Sequence, residues 1–242
     1  MKIRAAVLER PGAPFRIETL DLAPPGPGEV LVRIEACGVC HSDWHLVTGA
    51  TRHPFPCVAG HEGAGVVERL GPGVERLAVG QKVALSWAPD CGECFYCRRD
   101  KPNLCAAFAE TLWAGVMLDG RPRLSRAGEP VYHYCGLAAF AEAATVPAVA
   151  CVPIPDRIPS KVAALVGCAV ATGVGATIST VRVAPGDSVA VFGCGGVGLS
   201  ILMGARLAGA TELVAIDRSP AREAAARDFG ATAFVLADAD PI

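Results

Sequence analysis

The chain has 242 residues, 52% of them apolar and 19% charged, a globular composition long enough to bury one large core or two ordinary ones. Its formal net charge is -2 with Lys and Arg scattered, which lacks the basic footprint of a nucleic-acid partner. The cysteines number 11, an odd count in a chain too large to need staples, and the opening MKIRAAVLERPG has no apolar core of a signal peptide; reduced thiols in a cytoplasmic protein are the expectation.

Residues 1 to about 155 carry short apolar runs broken by Pro and Gly. Segments 29–35 (EVLVRIE), 65–70 and 81–86 read as strands, separated by turn-rich stretches such as PPGPGE and GPGVERLAVGQ. That spacing predicts a compact β-barrel-like domain. The pattern changes after Pro159. Ser160 is placed to cap a helix over 161–171. The 20 uncharged residues between Lys161 and Arg182 are long enough to span a bilayer, but Gly, Ala and Thr dominate them, so a buried helix is expected and no membrane partner. Ser188–Phe192 is an apolar strand without alternation, as in a parallel sheet covered on both faces. A Gly-rich turn then leads into a helix over 196–208, a strand over 213–216, a helix over 220–229 and a strand over 233–236. This β-α-β-α-β order is half of a doubly wound sheet.

Cys91, Cys94, Cys97 and Cys105 follow C-x2-C-x2-C-x7-C. Four thiolates so spaced suit one structural zinc, closed to substrate; an iron–sulfur cluster or uncoordinated thiols are the alternatives. Cys40, His61 and Cys168 are dispersed ligand candidates. Two thiolates and one imidazole leave a zinc position open, as catalysis requires, though a lone His or Cys beside glycines is often structural. Glu62 follows His61 and is either a solvated carboxylate or a neighbour of the metal. Gly193, Gly195 and Gly198 form G-C-G-G-V-G between a strand and a helix, where backbone N–H groups can approach a pyrophosphate. Asp217 ends the next strand, either as a ribose ligand that favours NAD over NADP or as a turn former. Cys37, Cys57, Cys135, Cys151 and Cys194 read as small buried hydrophobes.

The motifs CGVCHSDWH, GHEGAGVVE, CGECFYCRRDKPNLC, VGCAVATGVGA and GCGGVGLS stand in order along the chain. Together they resemble the zinc-containing alcohol dehydrogenases of the medium-chain dehydrogenase/reductase superfamily. The resemblance implies a GroES-like zinc-binding catalytic domain over 1–169 and a partial NAD-binding Rossmann domain over 170–242. It implies two zinc ions, one on Cys40, His61 and Cys168 with Glu62 beside them, the other on Cys91, Cys94, Cys97 and Cys105. Ser42 matches the hydroxyl that takes the substrate proton, and His45 matches the outer end of the relay. His41, Thr172, Gly193, Gly195, Gly196, Val197, Gly198, Asp217 and Arg218 make up the implied cofactor set. Trp87 and Tyr134 match substrate-pocket walls. The implied reaction is hydride transfer between an alcohol, or its aldehyde or ketone, and NAD, with the full-length form a homo-oligomer, dimer or tetramer. A polyol dehydrogenase, a formaldehyde–thiol-adduct dehydrogenase or an inactive zinc-binding or redox-sensing scaffold are the alternatives. Two departures stand out. Many relatives carry Arg where this chain has His41, and relatives continue through further strands. A C-terminally truncated, inactive chain is therefore expected, with Ser188–Phe192 at an open sheet edge.

Overall fold

The computed structural model describes residues 1–237; the expected truncation point at Ile242 lies outside them. Contacts divide the described residues into two units, Met1–Gly167 and the residues from Cys168 onward.

Strands dominate the first unit: β1 (Lys2–Leu8), β2 (Arg16–Leu22), β3 (Glu29–Gly38), β4 (Cys57–Val58), β5 (Glu62–Leu70), β6 (Lys82–Leu85), β7 (Leu124–Arg126), β8 (Glu129–His133), β9 (Ala143–Pro147) and β10 (Cys151–Pro153). Helix α1 (His41–Thr48) follows β3, and α2 (Ala106–Ala114) precedes β7. Strands β1, β2, β7, β8 and β4 close into a barrel, and β10-β6-β5-β3-β9 form a sheet. Alternation explains the barrel wall: in β1, Ile3, Ala5 and Val7 point inward while Lys2 and Arg4 face out. Leu20, Leu22, Val58 and Val131 join that core, and Val30, Val32, Val67, Val83 and Leu85 fill the sheet's own.

The antiparallel register of β3 on β5 positions the site. Gly38 lies opposite Glu62 and Cys37 opposite Gly63. The chain leaving β3 toward Cys40 therefore runs beside the chain that enters β5 from His61.

The expected helix over 161–171 is not continuous. Helix α3 (Ser160–Ala163) passes into a 3-10 turn over Ala164–Gly167, the backbone breaks at Cys168 (φ -138, ψ -80), and α4 (Ala169–Gly175) resumes before a π-turn over Ala176–Val181. Pro159, not Ser160, is the N-cap; the Ser160 hydroxyl instead donates to Glu35 at 2.6 Å. Nor is the uncharged stretch a buried helix, because Val162, Leu165, Val166, Ile178 and Val181 are exposed. Its glycines and β-branched residues disfavour one long helix, and Cys168 leaves helical geometry. Among the described residues no single helix is long and apolar enough to cross a membrane.

The second unit continues with β11 (Ser188–Phe192), α5 (Gly196–Leu207), β12 (Glu212–Asp217), α6 (Glu223–Asp228) and β13 (Ala233–Leu236). All three strands are parallel, in the order β11-β12-β13, so β11 is an edge among the described residues. The helix expected over 220–229 begins as a 3-10 turn over Pro220–Arg222. Val191, Leu202, Ala205, Leu213 and Ala215 form the core under α5. Helix α4 packs on α5 through Gly173, where an added Cβ would lie 2.5 Å from the Ser200 Cβ.

Candidate functional site

The four-cysteine lobe is a loop wound around one point. Cys97 opens a 3-10 turn and Cys105 is the N-cap of α2. The four sulfurs lie within 4.8 Å of one another, with Cys94–Cys97 at 3.5 Å and Cys91–Cys97 at 4.0 Å. A Zn–S bond of about 2.3 Å places thiolates about 3.8 Å apart across a tetrahedron, so the set fits one ion. A multi-iron cluster would hold its thiolates farther apart. Backbone N–H groups of Cys97 and Ala106 favour the thiolate at Cys94, pulling its pKa down to about 6.

The second donor set grows from the β3–β5 register. Cys40 caps α1, and Asp43, in the first turn, folds back to accept the Cys40 N–H at 3.0 Å. The other Asp43 oxygen accepts the Gly60 N–H at 3.0 Å and faces His61 Nδ1 at 3.3 Å. One buried carboxylate thus ties α1 to the start of β5 and orients the imidazole, leaving His61 Nε2 for another partner. Cys40, His61 and Glu62 each offer a ligand atom within 4.8 Å of the others. Burial by itself opposes charge on His61, but Asp43 and then Cys40 outweigh it and push its pKa up to about 9. The pocket therefore favours a positive charge at the imidazole, which fits a cation. Glu62 is buried, not a solvated surface carboxylate. Gly38 makes room for it: a Cβ there would lie 2.1 Å from Glu62 Oε2. Cys168 is buried as the N-cap of α4 and is the first residue of the second unit.

Around this set, Ser42 is half-buried, with the Cys40 thiol 3.7 Å from its hydroxyl. His41 and His45 are exposed, their rings edge-to-face at 4.8 Å. Tyr134 is buried; its ring meets His61 at 5.6 Å and its hydroxyl donates to the Ser42 carbonyl at 3.1 Å. Trp87 is half-buried and meets the His61 ring edge-on at 6.4 Å. Sequence reasoning passed over Asp43, although its place three residues after a cap was the available signal. It also took Cys37 as buried, whereas Cys37 is only partly buried at the end of β3.

In the second unit, Gly193 (φ 90) turns the chain out of β11, Gly195 caps α5 and Gly196 is its first residue. A Cβ on Gly198 would stand 1.8 Å from the Gly193 carbonyl oxygen, so only glycine permits this closeness of turn and helix. The Asp217 carboxylate accepts N–H bonds from Cys194 at 2.7 Å and Ser219 at 2.9 Å, which hold its pKa below the usual carboxylate range. Each oxygen thus accepts one backbone N–H of the turn and keeps lone pairs for further donors. Thr172, Val197 and Arg218 are exposed.

Known proteins resemble the chain along nearly its whole length. Residues 26–156 match the alcohol dehydrogenase GroES-like domain. An S-(hydroxymethyl)glutathione dehydrogenase of Escherichia coli is 46% identical over 233 residues, covering 96% of this chain and 63% of that protein. The crystal structure of an alcohol dehydrogenase zinc-binding domain protein from Burkholderia ambifaria superposes with a TM-score of 0.93 at 39% identity, covering 98% of this chain and 64% of that one. Benzyl alcohol dehydrogenase from Acinetobacter calcoaceticus gives 0.92 at 33% identity, over 99% and 65%. The chain thus spans less than two thirds of the length of these relatives. With a closed barrel, a four-thiolate lobe and a glycine turn in the expected order, the chain belongs to the alcohol dehydrogenase GroES-like domain family.

Proposed function

We propose that the protein is a zinc-dependent oxidoreductase that moves a hydride between an alcohol, or its aldehyde or ketone, and NAD. The observation that carries this reading is the Cys40–His61–Glu62 donor set, organised by Asp43 and with its imidazole and carboxylate buried, in a chain of this family. Cys91, Cys94, Cys97 and Cys105 would hold a structural zinc, and Cys40, His61 and Cys168 a second one with a position left open. Bound there, zinc supplies Lewis-acid activation of an alcohol oxygen and NAD supplies the hydride acceptor.

The chain's own residues bind, orient and move the proton. Half-buried Ser42 is the first acceptor of the hydroxyl proton, and Tyr134 fastens it through its carbonyl. Exposed His45 passes the proton to solvent. Glu62 sits close enough to the donor set to modulate it. Gly193, Gly195, Gly196 and Gly198 offer backbone N–H groups to a pyrophosphate, and Asp217 offers its remaining lone pairs to ribose hydroxyls. His41, Thr172, Val197 and Arg218 complete the cofactor set, and Trp87 and Tyr134 wall the substrate. Thiolate clusters need reduced cysteines, which fits the cytoplasm, and a homo-oligomer is the proposed assembly of the whole protein. The test is a panel of alcohols with the zinc-loaded whole protein, following reduced nicotinamide with NAD and with NADP. The expected result is turnover with NAD that a chelator abolishes. Zinc-loaded protein that reduces neither cofactor with any alcohol overturns the reading.

A further inference from the structure

We infer that His41 and His45 form a further metal site on the outer face of α1, an exchangeable one that takes zinc or a neighbouring divalent transition ion through two imidazoles. The two residues are one helical turn apart, the i, i+4 spacing that sets side chains on one face of a helix. The helix is fixed from its other side. Asp43 and Leu46 are buried, Asp43 closes the capping box with Cys40, and Gly49 (φ 78) ends the last turn in the left-handed conformation. His41 and His45 stand exposed on this frame, so an ion binds them without first ordering the backbone.

The ring spacing suits a shared ion. The centroids are 4.8 Å apart, with an interplanar angle of 87°. With a metal–nitrogen bond of about 2.1 Å, two imidazoles at right-angle or tetrahedral positions on one ion place their centroids about 4.5 to 5.2 Å apart. Rotation about χ2, which is soft for histidine, aims one nitrogen of each ring at the common point. Imidazole suits zinc, copper and nickel, and water fills the remaining positions. The other three of the five histidines do not compete. His61 and His133 are buried, and the ring nitrogens of His53 lie against carbonyl oxygens, that of Pro54 at 2.8 Å and that of His133 at 3.3 Å. Two ligands in place of three or four make this site weaker than the thiolate sets, hence reversible. An ion here occupies His45, the exit of the proposed proton relay, and His41 of the proposed cofactor set. Excess metal then slows turnover. That consequence rests on the reaction proposed above; the binding itself does not.

The experiment is equilibrium dialysis of the zinc-loaded chain, freed of loosely held metal, against nickel(II) as the probe, with bound nickel and zinc both counted by elemental analysis. Saturation at one nickel per chain is expected, with zinc retained. Affinity should fall at least about tenfold in His41→Ala and in His45→Ala, because losing one imidazole ends the chelate. Both side chains are exposed, so the variants keep the core, and an unchanged zinc content checks this. Nickel that binds only by displacing zinc, or that binds either variant as tightly as the parent, overturns the inference. With the zinc-loaded whole protein, nickel should slow alcohol oxidation in step with its binding. Nickel binding in protein that oxidises no alcohol supports the site and refutes the reaction. Undiminished turnover with the site filled refutes the inhibition.

Discussion

Asp43 ties together three parts of the candidate centre. Its two oxygens hold the Cys40 N–H, the Gly60 N–H and the His61 ring. Asp43→Asn keeps the shape and removes the charge behind the imidazole. Zinc affinity of the Cys40–His61 set should fall about 10- to 100-fold, measured by competition with a chelating dye. Equal affinity in variant and parent would show that the carboxylate only packs. His133 is a second buried group that no motif announces. Its Nε2 accepts the Arg123 N–H at 2.9 Å, its Nδ1 has no hydrogen-bond partner among the described residues, and burial, with the Arg123 and His53 charges, pushes its pKa down to about 3. The unfolded chain would take up that proton near the ordinary value of 6.5, so the folded state binds fewer protons below it. Stability from keeping His133 neutral is present above that value and lost as pH falls toward the folded pKa. His53, also lowered by burial, acts in the same direction. Between about pH 6.5 and 5, His133→Gln should flatten the loss of stability by up to about 1.4 kcal/mol per pH unit in urea unfolding. Parallel curves for the two proteins would sink the claim.

At the scale of elements, short segments set the ligands in place. Cys97→Ala should remove about one zinc per chain and lower the stability of the first unit, because a closed thiolate site contributes folding energy. Elemental analysis and thermal unfolding check it; normal folding with activity alone lost would mean the lobe is not structural. The turn into α5 admits a different test. Gly198→Val places side-chain atoms where the Gly193 carbonyl already stands, so NADH affinity should drop at least about tenfold by fluorescence titration. Undiminished affinity would disconnect this turn from the cofactor. Asp217→Asn keeps a turn acceptor but removes the charge that repels a 2′-phosphate, so the ratio of NADP to NAD use should rise. If the parent already uses NADP as well as NAD, Asp217 does not set the preference.

For the whole molecule, the two units divide the candidate machinery between them. The first unit carries both the closed thiolate lobe and most of the open donor set; the second carries the glycine turn and Asp217. A zinc-replete preparation should therefore hold close to two equivalents per chain. Stripping it with a chelator should lower the unfolding temperature of the strand-rich unit more than that of the parallel-sheet unit, as amide exchange of the barrel strands and of β11–β13 would report. Equal loss of protection in both would show that metal does not act through the barrel unit.

What the amino-acid order made legible is local. The C-x2-C-x2-C-x7-C lobe, the glycine turn and the apolar run of β3 each lie within a short stretch, where residue spacing dictates geometry. Cys40, His61 and Cys168 were legible only through a family's motifs, since nothing in their spacing sets them side by side. The remainder depended on contacts between distant segments. Asp43 meets Gly60 and His61 through the β3–β5 register, Tyr134 reaches Ser42 across 92 positions, and Trp87 faces one cavity with Phe108 and Trp113 of α2. The break at Cys168 is of the same kind. The uncharged apolar run reads as one helix, yet the backbone at Cys168 leaves helical geometry at the start of the second unit. Propensity is a weak prior that tertiary packing overrides, and burial, partner and pKa are properties of neighbours that no single stretch of chain contains.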